Sequence, residues 1–366
     1  MGNELWNQPT KLGKYELKNK IVYPPIGRSW GDLNGNITNR VYSCYKNLAE
    51  GGCGMIVVEG TTVSPDGKGS KRTLGLYNQT HLDGLKKISN VIKQNKCLAS
   101  IQLLHAGGQA NPIFTGYEPK SPSKMDKTMT GTGYASRELT VEEIKEILNH
   151  FVDSALLADK AGFQAVELHL AHGYLLHEFL SEHTNKRNDN YGGNLENRMR
   201  LITEIISEIK KNSNILIGVR ISGEDYIPDG INKKVNKEIL PILEKVGVEY
   251  FSVTAGIYET SKIKHLALKE GKFFEYSKDI KKMINKPVIS VGKILDLDQA
   301  EKHLQNEDCD LVAIGRGLIA DPHMINKFMK GENYNFCLEC DGCRYLAMGK
   351  ESLECPFDED LENRLE

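Results

Sequence analysis

Gly162-Phe-Gln-Ala-Val-Glu-Leu-His-Leu-Ala-His-Gly-Tyr174 is the stretch on which the fold turns. Gly162 to Ala171 reads as a strand, and two histidines and a tyrosine fall at or just past its C-terminal edge. An amphipathic segment, Thr140–Ala161, precedes it, and Thr140 followed by Glu143 is a capping box at a helix start. A second amphipathic segment, Leu195–Lys211, follows. A continuous apolar run between two helical ones is the mark of a strand covered on both faces.

The same unit recurs on either side. Apolar, β-rich runs occur at Ile21–Ile26, Met55–Glu59, Ala99–His105, Ala165–Leu170, Ile215–Ile221, Tyr250–Thr254, Pro287–Val291 and Leu311–Ile314. Longer amphipathic segments such as Val235–Val246 separate them. This alternation predicts an α/β fold, a (β/α)₈ TIM barrel over residues 1–334 with a short C-terminal cysteine-rich extension over 335–366. A doubly wound open sheet is the competing architecture, but no Gly-x-Gly-x-x-Gly follows the first strand. The polar residues also favour the barrel. Gln102, His105, His169, His172, Arg220, Gly292, Gly315 and Arg316 all fall at or just after strand ends, which a barrel gathers on one face. Three long loops interrupt the pattern: Gly107–Arg137, where a hairpin or lid is expected, His183–Asn194 and Gly223–Asn232.

Composition narrows the function. Of 366 residues, 40% are hydrophobic and 26% charged, and Lys plus Arg (47) nearly balance Asp plus Glu (49) for a net charge of −2. That balance gives no electrostatic case for nucleic acid or an anionic membrane as partner. Met1-Gly-Asn-Glu-Leu-Trp6 lacks the apolar run of a signal peptide, and no uncharged apolar stretch is long enough for a bilayer, so the expected location is cytoplasmic. A homo-oligomer stays open. Of eight cysteines, Cys44, Cys53, Cys97 and Cys309 are scattered among apolar neighbours and read as small buried side chains. The other four crowd into the C-terminal extension.

Three constellations carry chemistry. Two imidazoles, His169 and His172, can hold a carbonyl oxygen, and the Tyr174 phenol can give up a proton; the bland alternative is core packing with a polar strand end. Gly292, Gly315 and Arg316 follow the seventh and eighth strands, where barrels often bind phosphate; each glycine could equally serve a strand-to-helix turn. Gln102 and Arg220 could read the polar edge of a flavin; alternatively Arg220 is a buried cation paired with Glu224 or Asp225.

Together these residues resemble the old yellow enzyme family of FMN-dependent ene reductases, closest to the barrel of bacterial 2,4-dienoyl-CoA reductase and bile-acid-type enoate reductases. The likeness rests on Leu17-Lys-Asn-Lys-Ile-Val-Tyr-Pro-Pro25-Ile26, Gln102-Leu-Leu-His105-Ala-Gly-Gly-Gln109, the His169–Tyr174 run, Asn185–Arg198, Gly218-Val-Arg220-Ile-Ser222 and Ile314-Gly-Arg316. It implies that Pro25, Ile26, Gly27, Gly60, Gln102 and Arg220 contact the flavin or its ribityl chain. It implies further that Gly292, Gly315 and Arg316 hold the FMN phosphate, that His169 and His172 bind a substrate carbonyl, and that Tyr174 is the proton donor. The implied substrate is a small α,β-unsaturated carbonyl compound and the implied reductant NADH or NADPH. Two alternatives remain: amine dehydrogenation or demethylation, which needs no oxyanion clamp, and an electron-transfer subunit in which FMN only relays electrons.

The sequence departs from the family in places. Gly27 stands where a Thr or Cys is usual, and Pro24 replaces a commoner Ala. The second proton-donating His that dienoyl-CoA reductases carry after strand six is missing from Gly256-Ile-Tyr-Glu-Thr260, and His265 is misplaced for it, which argues against a dienoyl-CoA substrate. Cys337-x2-Cys340-x2-Cys343-x11-Cys355 resembles the four-cysteine tail by which the larger relatives bind a [4Fe–4S] cluster, although their second gap is commonly one residue longer. Zinc, or no metal, is the alternative occupant. The larger relatives continue into FAD- and pyridine-nucleotide-binding domains. Without these, a cluster would draw electrons from a separate electron-donor protein; without a cluster, NADH or NADPH would reduce FMN directly.

Overall fold

The computed structural model describes residues 4–127, 129–260, 270–343 and 350–358. Eight parallel strands close into a barrel: β1 (Ile21–Tyr23), β2 (Met55–Thr62), β3 (Leu98–Leu104), β4 (Ala165–Leu170), β5 (Leu216–Ser222), β6 (Tyr250–Thr254), β7 (Val288–Val291) and β8 (Leu311–Ala313). All eight expected runs are strands, in sequential order around the barrel. The helices between them include Val141–Lys160, Leu195–Asn212 and Lys233–Val246, and the Thr140–Glu143 capping box forms with both reciprocal bonds.

The differences have local causes. β1 stops at Tyr23 because Pro24 and Pro25 lack the N–H that a ladder needs. β2 slips register between Val58 and Thr61, a bulge that carries Glu59 and Gly60 at the barrel rim. The N-terminal segment forms an antiparallel hairpin, Thr10–Leu12 with Tyr15–Leu17, that the sequence pattern did not disclose. Its Leu12 and Leu17 pack with the inward-facing Val22, Met55, Leu98, Ala165 and Leu216 and plug one end of the barrel. In the Gly107–Arg137 loop, Lys120–Ser121 pairs in parallel with Arg137–Glu138, and Met125 bridges Ser136 in antiparallel sense. The Asn185–Tyr191 turn is a structural tie. Asn185 donates to the carbonyls of Phe179 and Tyr191, both at 2.8 Å, and Arg187 donates to those of Pro122 and Leu139, both at 2.7 Å.

Beyond the last barrel helix, Met324–Lys330, the chain returns to the barrel as a strap. Leu353 is fully buried in the outer core. Its N–H donates to the Arg28 carbonyl and its carbonyl accepts from the Trp30 indole, both at 3.0 Å. The Arg40 guanidinium lies 3.9 Å over the Trp30 ring and 4.0 Å from the Asp358 carboxylate. Leu353 is thus the apolar anchor of the strap. Leu353→Ala should weaken this docking by about 2–5 kcal/mol. Hydrogen–deuterium exchange of the 350–358 segment should then accelerate roughly 30-fold or more while the barrel strands stay protected. Unchanged exchange there would mean that the anchoring lies elsewhere.

Candidate active site

A cleft with about 630 Å³ of empty space opens at the C-terminal ends of the strands. Strands expose alternate residues to the barrel interior. Four inward positions make its floor: Glu59 on β2, Gln102 on β3, His169 on β4 and Arg220 on β5. Pro25, Gly27, Gly60, Leu104, His172 and Tyr174 join the walls, with Gly69, Ser70 and Thr73 from the loop after β2. Eight of the expected site residues therefore share one cleft. Ile26, Gly292, Gly315 and Arg316 do not line it.

One layer below the floor lies a polar group that the sequence pattern left unread. Glu167, fully buried, accepts a 2.8 Å bond from Gln102 Nε2, and its Oε2 is orphaned. Burial pushes its carboxyl up to about 7, against the pull of Arg220 and Gln102. Arg220, 8% exposed, keeps an orphaned Nε. The carboxylate whose charge acts on it is Glu167, not Glu224 or Asp225. Asp225 is taken by His177 at 3.0 Å, Ser222 at 2.6 Å and the Ile231 N–H at 2.7 Å, and Glu224 accepts from the Tyr226 N–H. Glu59 is likewise buried, pushed up to about 7 by desolvation, and accepts from the Arg28 N–H at 2.9 Å.

The turn after β4 aims the other three residues. His172 and Gly173 both have left-handed backbone, with φ of 62° and 76°. For a non-glycine residue such as His172 that is a strained conformation of the kind that clusters at functional sites. It lets His172 Nδ1 meet His169 Nε2 at 3.2 Å and His172 Nε2 meet Thr254 Oγ1 at 3.0 Å. His169 Nδ1 is buried without a partner. Burial holds both imidazoles below their ordinary range, His172 down to about 3, with neighbouring positive charge adding to the effect. Both rings are therefore neutral near pH 7. Tyr174 packs edge-on against His169, centroids 4.9 Å apart, and its hydroxyl lies 2.8 Å from that of Tyr258. Tyr258 sits in the stretch after β6 where dienoyl-CoA reductases are expected to carry a histidine. His265 lies outside the described residues.

The phosphate candidates occupy different surroundings. Gly292 follows β7 with φ of 146°, a conformation that favours glycine. A Cβ on Gly315 would stand 2.8 Å from Ile26 Cδ1, so Gly315 permits a close approach of β8 to the segment after β1. Arg316 lines a second pocket, about 360 Å³ of empty space, together with Cys337, Cys340, Cys343 and Cys355. All four thiols are free, and the Glu339 N–H points at Cys337 Sγ at 3.4 Å. Burial pushes Cys343 and Cys355 up, while Arg316 pulls Cys343 down. Among the described residues, no three His, Cys, Asp or Glu side chains are grouped closely enough to hold a metal ion. The four scattered cysteines are buried and free. No described helix is long and apolar enough to cross a membrane.

Comparison with known proteins gives four informative matches, one to a family, two to curated relatives and one to a solved structure. The model of the NADH:flavin oxidoreductase / NADH oxidase family matches residues 6–335. An NADH oxidase of Thermoanaerobacter brockii is 36% identical over 342 residues, 91% of this chain and 52% of that protein. An NADPH dehydrogenase of Clostridium acetobutylicum is 36% identical over 324 residues, 87% of this chain and 93% of that protein. Among solved structures, a 2-naphthoyl-CoA reductase in complex with 2-naphthoyl-CoA superposes with a TM-score of 0.92 at 28% identity, over 98% of this chain and 57% of that one. The chain spans about half the length of the NADH oxidase and of the 2-naphthoyl-CoA reductase.

Proposed function

The chain belongs to the NADH:flavin oxidoreductase / NADH oxidase family, that of old yellow enzyme, and on that premise we propose that it is an FMN-dependent, NAD(P)H-driven reductase of α,β-unsaturated carbonyl compounds. The observation that carries the reading is the shared cleft, with Gln102 and Arg220 in its floor and His169, His172 and Tyr174 beside them.

The residues present fit the cofactor. The orphaned Arg220 Nε asks for an anionic or hydrogen-bonding neighbour, and the side-chain-free Gly27 and Gly60 leave room along one wall. Arg220 and Gln102 would hold the polar edge of the ring, Pro25, Ile26, Gly27 and Gly60 its remaining contacts, and Gly292, Gly315 and Arg316 the phosphate. Bound FMN would supply a hydride for the β-carbon of the alkene. The protein supplies the rest. A neutral imidazole N–H from His169 or His172 polarises the carbonyl, and the Tyr174 hydroxyl places a proton on the α-carbon. His172 is engaged at both ring nitrogens, by His169 and Thr254, so it can reach a carbonyl oxygen only by exchanging one of these bonds, whereas His169 Nδ1 has no partner.

Although no three of the described side chains stand close enough for a single metal ion, Cys337, Cys340, Cys343 and Cys355 line one pocket, with an N–H aimed at sulfur. Four thiolates are the ligand type of a [4Fe–4S] cluster, which supports reading this pocket as its place. Cys337, Cys340, Cys343 and Cys355 would hold it, and a separate electron-donor protein would then feed it. The test is the visible spectrum of anaerobically purified protein with iron, sulfide and zinc assayed on the same sample. Flavin bands with about four irons per chain are expected. Flavin with zinc, or with neither metal, would leave a self-contained NAD(P)H-driven reductase. A protein without flavin would end the reading altogether.

A further inference from the structure

The hydroxyls of Tyr174 and Tyr258 are 2.8 Å apart, and their rings meet edge-to-face at 75°. The pairing is built in on both sides. His172, two residues before Tyr174, bridges in parallel to Ile257, the residue before Tyr258. The Ile257 N–H is held by Thr260 Oγ1 at 2.9 Å and the Thr260 N–H by the Ile257 carbonyl at 3.1 Å, which closes the turn around Tyr258. From above, Gly131 of the long loop rests on the ring so closely that a Cβ there would stand 2.8 Å from Tyr258 Cδ1. Gly131 is fixed in turn by its N–H bond to Gln109 Oε1. Tyr174 faces the cleft, whereas Tyr258 is not among the cleft-lining residues.

We propose that Tyr258 works through Tyr174 as the outer member of a two-tyrosine acid, sharing the negative charge as the proton leaves and then restoring it. The inference rests on Tyr174 being the proton donor. The Tyr174 O–H bond breaks as a C–H bond forms at the α-carbon, leaving a phenolate. The Tyr258 hydroxyl, already within bonding distance, donates to that phenolate. Its proton then passes to Tyr174, and water replaces it on Tyr258. One solvent proton is consumed per alkene, and neither tyrosine changes oxidation state. A hydrogen bond to an ionised group is worth more than one to a neutral group, so the gain falls on the transition state.

The test is a double-mutant cycle in flavin-loaded protein, reduced anaerobically and mixed with 2-cyclohexenone in stopped flow. Tyr258→Phe should slow reoxidation roughly ten- to a hundredfold and leave reduction by NAD(P)H unchanged. In a Tyr174→Phe background the same change should have no further effect, because Tyr258 acts only through Tyr174. Tyr258→His, which restores a proton-bearing donor, should recover most of the rate, and Tyr258→Met should not; this pair decides the matter if the Phe variant fails to fold. Reoxidation of Tyr258→Phe at the parental rate, or an equal loss with and without Tyr174, would overturn the proposal. Should Tyr174→Phe alone react at the parental rate, the assignment of Tyr174 as proton donor has failed, and a parent that 2-cyclohexenone does not reoxidise would end the ene-reductase reading; the cycle separates both outcomes from a failure of Tyr258.

Discussion

Reduced Tyr174→Phe protein should be reoxidised by an unsaturated ketone about a hundred- to ten-thousandfold more slowly than the parent, the usual worth of a positioned general acid. Its reduction by NAD(P)H should be unaffected. The substitution removes one oxygen and keeps the ring that packs on His169 at 4.9 Å, so the cleft keeps its shape. The nearby histidines cannot substitute as acids. Their folded pKa values lie below the ordinary histidine range, His172 at about 3, because burial penalises the charged form. Neutral imidazoles donate a hydrogen bond but hold no spare proton near pH 7. The same shift has a sign for stability. A histidine whose folded pKa is depressed contributes stability that is present above its unfolded value near 6.5 and lost as pH falls towards about 3. Acid will therefore unfold this site before it usefully protonates it, so lowering the pH should not rescue the variant. The outcomes separate the readings. Slowed reoxidation with intact reduction marks a proton donor to substrate. Both half-reactions intact would mean that the proton reaches the α-carbon from another group. A parent that the ketone does not reoxidise at all would mark a chain that only passes electrons, and both half-reactions lost in flavin-loaded Tyr174→Phe would remove Tyr174 from the chemistry proposed for it.

The barrel was legible because strands covered on both faces leave long apolar runs, and Ala165–Leu170 and Tyr250–Thr254 are found within the boundaries read from the sequence. The N-terminal hairpin was not, because each of its strands has three residues and buries only one of them. Strand ends pointed to the cleft, but the electrostatics beneath it depends on register. The carboxylates nearest to Arg220 in the sequence are Glu224 and Asp225. The barrel pairs Arg220 across strands with His169, which places Glu167, two residues earlier on the same inward face, below it. A lone carboxylate inside an apolar strand was the available signal. Arg316 shows what the chain's later course adds. Its position after β8 reads as a phosphate ligand, and it also borders the cysteine pocket, a neighbourhood created by a strap that returns from beyond residue 350. Tyr258 is hidden in the sequence because the family resemblance points to an imidazole after β6, whereas a phenol can carry a proton as well.

Gly218→Ala should be the most damaging single methyl in the barrel interior. Gly218 lies on β5 opposite Tyr250 of β6 and Glu167 of β4. The Tyr250 ring occupies the space that a side chain at 218 would take: a Cβ there would stand 2.0 Å from Tyr250 Cζ and 2.2 Å from Cε1. Neither partner can yield easily. Tyr250 is fully buried, its hydroxyl is tied to Ser100 Oγ at 3.0 Å, and Gly218 belongs to a strand bonded on both sides. Overpacking of this kind costs about 1–3 kcal/mol and sometimes more, and here the upper end is expected because rigid backbone faces a rigid ring. The damage should also travel upward. A displaced Tyr250 disturbs Glu167, Glu167 holds Gln102 at 2.8 Å, and Gln102 and Arg220 form the cleft floor. Flavin content should therefore fall together with the melting temperature. The cause is separable from a generic packing loss by a second cycle. Tyr250→Ala alone opens a cavity and should cost about 3–5 kcal/mol. Gly218→Ala added to it should cost almost nothing, because the ring it strikes has gone. Equal losses from Gly218→Ala in both backgrounds would place the strain in the strand itself and detach the cleft floor from the ring beneath it.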